Sequence, residues 1–272
     1  MPYDYQLLSV EVADGVATVT INHPPINLFD LPLMDEIGCL GEELAADDNV
    51  RVIVFQSADP DFFIAHADVE LIQSLPTDTP PRPENLSFFH EMLELYRTLP
   101  KVTIGKLEGV ARGGGSEFLL ALDMRFAALG RAVLSQPEVA IGIIPGGGGC
   151  VRLPRLVGRG RALEIILGCE DFDAATAERY GYVNRALPPD TIGSFVDNLA
   201  RRIATFPAQA IALAKSAVNN GDALPIRDAL LEEEHCFNLS VREPDTRTLM
   251  ENFMANGGQT REVELNGIPL GD

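Results

Sequence analysis

Basic side chains are in short supply in this chain: 21 Lys and Arg stand against 40 Asp and Glu, for a formal net charge of −19. A surface of that sign repels nucleic acid and anionic membrane, so neither is expected as a partner. A small anionic ligand is still allowed, because a local patch can oppose the overall field. Cysteine is scarce too. Cys39, Cys150, Cys169 and Cys236 are widely spaced, with no C-x-x-C pair, which argues against structural zinc and against a disulfide scaffold. His23, His66, His90 and His235 are scattered with no carboxylate at metal-binding spacing, so no metal is expected. No run reaches the ~18 apolar residues of a membrane helix. Residues 1–5 lack the basic and apolar parts of a signal peptide, and a cytoplasmic protein is expected.

Hydrophobic residues make up 46% of the 272 positions, enough for one large domain or a domain with a smaller appendage. Residues 5–12 and 16–21 read as two strands about an Ala13-Asp14-Gly15 turn. Residues 31–46 have helical spacing, with Leu33, Ile37, Leu40 and Leu44 on one face. Residues 50–55 form a short apolar strand of the kind buried on both sides. Strand, helix, strand in this order predicts a parallel sheet in an α/β fold. Four prolines in residues 74–83 break any helix there, and a mobile loop beside a pocket is the expected reading. Residues 86–98 resume a helix with Phe88, Met92, Leu95 and Tyr96 as core positions. Strands are expected at 102–107 and 131–134, and a helix from Glu117 to Leu122. Helices are expected at 154–167, 173–180, 189–204, 207–219 and 225–237, followed by a polar, less ordered tail after Gly257-Gly258. The α/β pattern therefore gives way to helices near residue 200.

The stretch from Gly109 to Glu117 carries the most chemical information. Gly113, Gly114 and Gly115 leave the backbone bare at the start of a helix, and a carboxylate follows two residues later. Bare N–H groups at a helix N-terminus can stabilise a developing negative charge while an acid moves protons. A tight packing turn is the competing reading. Glu138 lies twenty-one residues after Glu117. Two carboxyl groups in one pocket would repel, leaving one more easily protonated than the other. The spacing alone does not require them to meet, and taken by itself each is more readily read as a solvated surface residue. Pro145 followed by Gly146 to Gly149 lacks the Lys-Ser/Thr ending of a P-loop, so a packing turn is preferred over a phosphate cradle. No G-x-S-x-G elbow supports a serine hydrolase.

Several segments in a fixed order resemble the enoyl-CoA hydratase/isomerase family, also called the crotonase family. They are Pro25-Ile26-Asn27, Phe63 to Asp68, Gly113 to Glu117 with Asp123, Gln136-Pro137-Glu138, Pro145 to Gly149, and Gly181 to Asn184. The resemblance spans about residues 10–220. It implies a spiral of ββα units over residues 1–200 and a helical C-terminal region over residues 201–272. That region would serve trimerisation, giving a homotrimer or homohexamer. The implied ligand is an acyl-CoA thioester, with no cofactor beyond the coenzyme A of the substrate. Ala67 and Gly114 would supply the oxyanion-hole N–H groups. Glu117 and Glu138 would be the two catalytic acids. Ala65, His66, Asp68 and Gly113 would contact substrate, with the Ala65 carbonyl near the adenine. The implied reaction is addition of water to a trans-2-enoyl-CoA, with double-bond isomerisation, carbon–carbon cleavage or non-catalytic CoA binding as alternatives. His66 stands where the family has glycine. It is expected either to reshape the first half of the hole or to reach the substrate. Glu70 stands where many relatives have Lys, and Arg242, Arg247 and Arg261 are the basic residues left near the C-terminus.

Overall fold

The computed structural model describes residues 3–78 and 81–266. It divides into two compact units, Met1–Ala204 and Thr205–Asp272. The first unit opens with an antiparallel hairpin of β1 (Leu8–Ala13) and β2 (Val16–Ile21). Asp14 and Gly15 both have positive φ, 52° and 78°, as a two-residue turn of the right twist requires.

From β2 onward the chain repeats one move: a strand joins a larger sheet, the next extended segment joins a smaller one, and helices return. In the first turn β2 leads to Phe29, bridged in parallel to Ala67, and then to α1 (Leu31–Ala46). The second turn is β3 (Val52–Ser57), β4 (Phe62–Ile64), α2 (Val69–Gln73) and α3 (Phe88–Thr98). The third is β5 (Val102–Leu107), β6 (Val110–Arg112) and α4 (Gly114–Ala121). The fourth is β7 (Met124–Ala128), β8 (Val133–Ser135), a 3-10 turn at Glu138–Ile141, α5 (Gly149–Val157) and α6 (Arg159–Gly168). Then come β9 (Phe172–Asp173), α7 (Ala174–Tyr180), β10 (Arg185–Leu187) and α8 (Ile192–Ala204). The larger sheet runs β1-β2-β3-β5-β7-β10, parallel beyond the hairpin, and the smaller runs β4-β6-β8-β9 with only β9 antiparallel. This is the expected spiral of ββα units.

Alternation along β3 shows why the larger sheet is buried twice. Val52 and Val54 face a cluster with Ile104, Phe126 and the α8 stripe Ile192, Val196, Ala200 and Ala204. Ile53 and Phe55 face the main core, where the α1 stripe Leu33, Ile37, Leu40 and Leu44 packs. Phe118 sits in that core, edge-on to Phe55 at 5.0 Å, Tyr96 at 5.7 Å and Phe29 at 5.9 Å. Such pairs add about 0.5–1.5 kcal/mol each beyond simple burial, and they pin α4 next to Glu117. The far end of α4 is held by the buried Arg125 guanidinium, which donates to the carbonyls of Leu119, Leu122 and Tyr182. A cation is favourable at a helix C-terminus.

Several expectations shift. The third strand covers Val52–Ser57 rather than 50–55, and β6, β7 and β10 had no clear periodicity because they are three to five residues long. The helix expected at 154–167 is two, broken at Gly158, whose φ of 81° no continuous helix accommodates. Met92 and Tyr96 are buried as expected, whereas Phe88 is 49% exposed. α4 begins inside the glycine run itself, three residues before Glu117. The connection between α2 and α3 has no regular structure among its described residues; Thr79 and Pro80, within the proline-rich break, lie outside them. The second unit contains α9 (Ala208–Ala223), α10 (Ile226–Val241), α11 (Pro244–Ala255) and α12 (Arg261–Asn266). α11 was not among the expected helices, and α12 gives the tail expected to be less ordered a helix as far as residue 266; residues 267–272 lie outside the described part. No helix among the described residues is long and apolar enough to cross a membrane.

The contact between β4 and β6 is testable. A Cβ on Gly109 would lie 2.4 Å from the Asp61 carbonyl, so Gly109→Ala is expected to cost about 1–3 kcal/mol. Thermal unfolding should show a drop of several degrees; an unchanged midpoint would mean that the two segments are not in such close contact.

Candidate active site

Three neighbouring parallel strands of the smaller sheet end at the same edge. β4 pairs with β6 at Ile64 and Ala111, and β6 pairs with β8 at Arg112 and Ser135. The segments that leave them are therefore adjacent: residues 65–68 after β4, the glycine run with Glu117 after β6, and Gln136 to Glu138 after β8. Ligands in α/β folds bind beyond the carboxyl ends of parallel strands. A cavity of about 670 Å³ opens there, lined by His66, Ala67, Asp68, Gly113, Gly114, Glu117 and Glu138 among others. Parallel register answers the question that the spacing of the two glutamates left open.

Two backbone N–H groups point into this space. The His66 carbonyl accepts from Phe29 N–H at 2.9 Å, so the trans peptide that follows turns Ala67 N–H the opposite way. The Gly113 carbonyl accepts from Glu117 N–H at 2.9 Å, which aims Gly114 N–H off the N-terminus of α4. Neither donor has an acceptor among the described residues. A Cβ on Gly114 would lie 3.2 Å from Ala67 N, so the donors are neighbours. Gly113 has a φ of 47°, and a Cβ there would meet Glu138 Oε1 at 2.9 Å. Glycine is needed on both counts.

His66 sits in ordinary, unstrained backbone. Its φ lies outside the left-handed region, so no glycine is required at this point. Its Nδ1 lies 2.9 Å from the Ala67 carbonyl, which can only accept. Nδ1 therefore carries a proton, and the side chain lines the cavity. Asp68 also lines the cavity, while its Oδ1 caps α2 through Glu70 N–H at 2.8 Å. Ala65 lies just behind the cavity. That residue is 3% exposed and not part of the lining, and its carbonyl accepts from Arg112 N–H at 3.1 Å as a continuation of the strand pairing. Glu70 is exposed on α2.

The two glutamates are both buried but differently held. Glu117 Oε1 accepts from Gly147 N–H at 2.7 Å and from Gly149 N–H at 2.8 Å. The glycine cluster after Pro145 is thus neither a phosphate cradle nor a simple turn: it grips a carboxylate. A Cβ on Gly147 would stand 2.5 Å from Glu117 Oε2. Arg152 fastens the loop, donating to the Gly147 carbonyl at 2.9 Å and to Glu94 Oε1 at 2.5 Å. Burial raises the proton affinity of Glu117 above the usual carboxylate range, opposed by the two N–H groups and by the Arg152 charge. Glu138 has no such donors from the loop. Burial, reinforced by the nearby Glu117 charge, pushes its pKa up to about 7. With its nitrogen facing Glu138, the Gln136 amide reaches the carboxyl oxygens at 3.0 and 3.1 Å and accepts from Ser116 Oγ at 3.2 Å. Ser116 in turn meets the buried Tyr182 hydroxyl. In the sequence reading Gly147 and Gly149 belonged to a packing turn, Gln136 only to the motif that carries Glu138, and Arg152 had no place; the glycine cluster opening α5 was the one available signal for the contact with Glu117.

The cavity therefore offers two neighbouring N–H donors, an acid held near its protonation midpoint at neutral pH and a second, more acidic carboxyl. Among the described residues no group of three or more His, Cys, Asp or Glu is placed to hold a metal ion. The sequence model of the enoyl-CoA hydratase/isomerase family matches residues 11–257. This chain belongs to that family. The short-chain-enoyl-CoA hydratase of Clostridium acetobutylicum is 31% identical, covering 94% of this chain and 95% of its own length. The crotonyl-CoA hydratase of Syntrophomonas wolfei is 30% identical over 92% of this chain and 95% of its own. Among solved structures, the enoyl-CoA hydratase of Bacillus anthracis superposes with a TM-score of 0.84 at 29% identity, covering 93% of this chain and 97% of that one. The enoyl-CoA hydratase/isomerase fold is thus shared along nearly the whole chain.

The raised proton affinity of Glu138 has a sign that stability measurements can read. Unfolding returns the group to an ordinary, lower pKa, so the ionised form costs folding energy in the native state only. Stability is unaffected below the unfolded value and is lost as pH rises through about 7. Glu138→Gln removes that cost. Its stability relative to the parent should increase between about pH 4 and 7 and then level off, by up to ~3 kcal/mol. Chemical denaturation across pH checks this, and a difference that is flat or shrinks with pH would contradict it.

Proposed function

We propose that this protein is an enoyl-CoA hydratase, adding water across the 2,3 double bond of a trans-2-enoyl-CoA to give a 3-hydroxyacyl-CoA. The observation that carries the reading is the unequal pair of glutamates beside two free N–H donors. Ala67 and Gly114 N–H groups hold the thioester oxygen as it gains enolate character. Glu117 takes a proton from a water whose oxygen bonds to C3. Glu138 gives its proton to C2. The step leaves Glu117 protonated and Glu138 ionised, so the pair resets by proton exchange before the next turnover. Both hydrogens of the water are accounted for, and no cofactor is needed beyond the coenzyme A that the substrate carries. Double-bond isomerisation can proceed with a single acid, which would leave one of these buried carboxyl groups without a task.

A cytoplasmic homotrimer or homohexamer belongs to the same proposal. The support is apolar surface on α9 and α10, where Val218 is 72% exposed, Ile226 77% and Phe237 65%. Buried against partner copies, such side chains would be covered. Sedimentation at micromolar concentration should give a trimer or hexamer, and a monomer alone would contradict the assembly.

Loss of the enoyl-thioester absorbance with crotonyl-CoA and longer homologues tests the reaction. Glu117→Gln and Glu138→Gln should each lower kcat about 10²- to 10⁴-fold, and hydration by the parent at no chain length would overturn the reading. Arg152→Gln, which releases the Gly147 carbonyl, should lower kcat about ten- to hundredfold with KM little changed. An unaffected kcat would show that Arg152 does not position Glu117.

A further inference from the structure

We infer that the preferred acyl group is an unsubstituted alkyl chain of medium length, about eight to twelve carbons. This rests on the acyl-CoA reading above and goes beyond it by naming the substrate class. Volume is the first argument. The cavity holds about 670 Å³. Since a cavity of ~150 Å³ accommodates benzene, each carbon takes ~25 Å³, and a four-carbon crotonyl group would fill only ~100 Å³ of it. Even with the thioester and the adjoining arm of coenzyme A seated at ~25 Å³ per heavy atom, the space left exceeds the ~100 Å³ that crotonyl needs.

The second argument is chemical. Away from the glutamates the lining is largely apolar: Met34 from α1, Ile72 from α2 and Leu75 just beyond it, Phe88 from α3, and Ile141 and Ile144 from the segment after Glu138. Two polar side chains on that part of the wall each have a partner within the chain. Asp68 caps α2 through Glu70 N–H at 2.8 Å, and Ser87 Oγ meets His90 Nδ1 at 2.8 Å and His90 N–H at 3.3 Å. A hydroxyl or carboxyl laid against these apolar side chains would give up water without gaining a hydrogen bond from them. An alkyl chain meets no such cost.

The third argument is exposure. Leu75 is 59% exposed, Phe88 49%, Ile141 62% and Ile144 67%. Four large apolar side chains from three separate segments crowd one cavity and are exposed on the single chain. Exposed apolar surface rimming a groove marks what the groove binds, and a chain that extends past the double bond would cover it. A crotonyl group would leave this surface wet.

The test is kcat/KM of the full-length protein with trans-2-enoyl-CoAs of four, six, eight, ten, twelve and sixteen carbons, together with a ten-carbon substrate carrying a terminal hydroxyl. The expected series rises from four to ten carbons by about ten- to hundredfold. Each buried methylene contributes at most about fourfold. The hydroxylated substrate should fall well below its plain counterpart. Ile144→Asn should shrink the ratio of ten-carbon to four-carbon kcat/KM at least severalfold. A series that is flat or peaks at four carbons overturns the inference and leaves the hydratase reading standing. An equal rate for the hydroxylated substrate also overturns it. Absence of hydration at every length overturns the hydratase reading itself, and this inference with it.

Discussion

Two hydrogen bonds to one oxygen organise this site. Gly147 and Gly149 donate to Glu117 Oε1 at 2.7 and 2.8 Å, joining the N-terminus of α4 to the loop that opens α5. They fix the rotamer of a buried carboxylate and offset part of its desolvation. They also separate Glu117 from Glu138, which lacks these donors and is held near its protonation midpoint at neutral pH. Two carboxyl groups in one cavity thus come to differ in proton affinity because their hydrogen-bond partners differ, as the proposed pairing of a proton acceptor with a proton donor requires. Any side chain at Gly147 would collide with both Phe89 and Glu117, so the loop composition follows from the contact it makes.

Helix α4 carries the same logic inward. Consecutive residues face opposite environments: Glu117 lines the cavity while Phe118 is fully buried among aromatic rings. The packing that stabilises the core is therefore the packing that aims the carboxylate. At the N-terminus, Gly114 N–H joins Ala67 N–H at the cavity, and at the C-terminus buried Arg125 satisfies the last carbonyls. A short helix fixed at both ends presents its donors without the freedom that would blunt them.

Much of this was legible in the residues. The stripe of Leu33, Ile37, Leu40 and Leu44 announces α1, and all four side chains are buried as its period requires. Gly113 to Gly115 before Glu117 points to bare N–H groups beside an acid. What stayed hidden depends on tertiary register. Glu117 and Glu138 meet because β6 and β8 pair with Arg112 opposite Ser135, a relation that no local pattern encodes. β6 and β10 are three residues each, too short for an alternation to stand out. The loop after Pro145 looks like a turn until its N–H groups are seen to have an acceptor thirty residues away in sequence. His66 is the converse case. Its identity suggests a distorted hole, yet the backbone there needs no positive φ, and the side chain simply adds to the cavity wall.

The claim on which the rest turns is that the two glutamates hold protons unequally, with Glu138 the donor. A carbon-13 NMR titration of glutamate side-chain carboxyls, assigned through Glu117→Gln and Glu138→Gln, measures this directly. Glu138 is predicted to titrate near neutral pH and Glu117 below it, and the Glu138 midpoint should fall when Glu117 is made neutral. Glu117 remaining protonated after Glu138 has ionised would contradict the account.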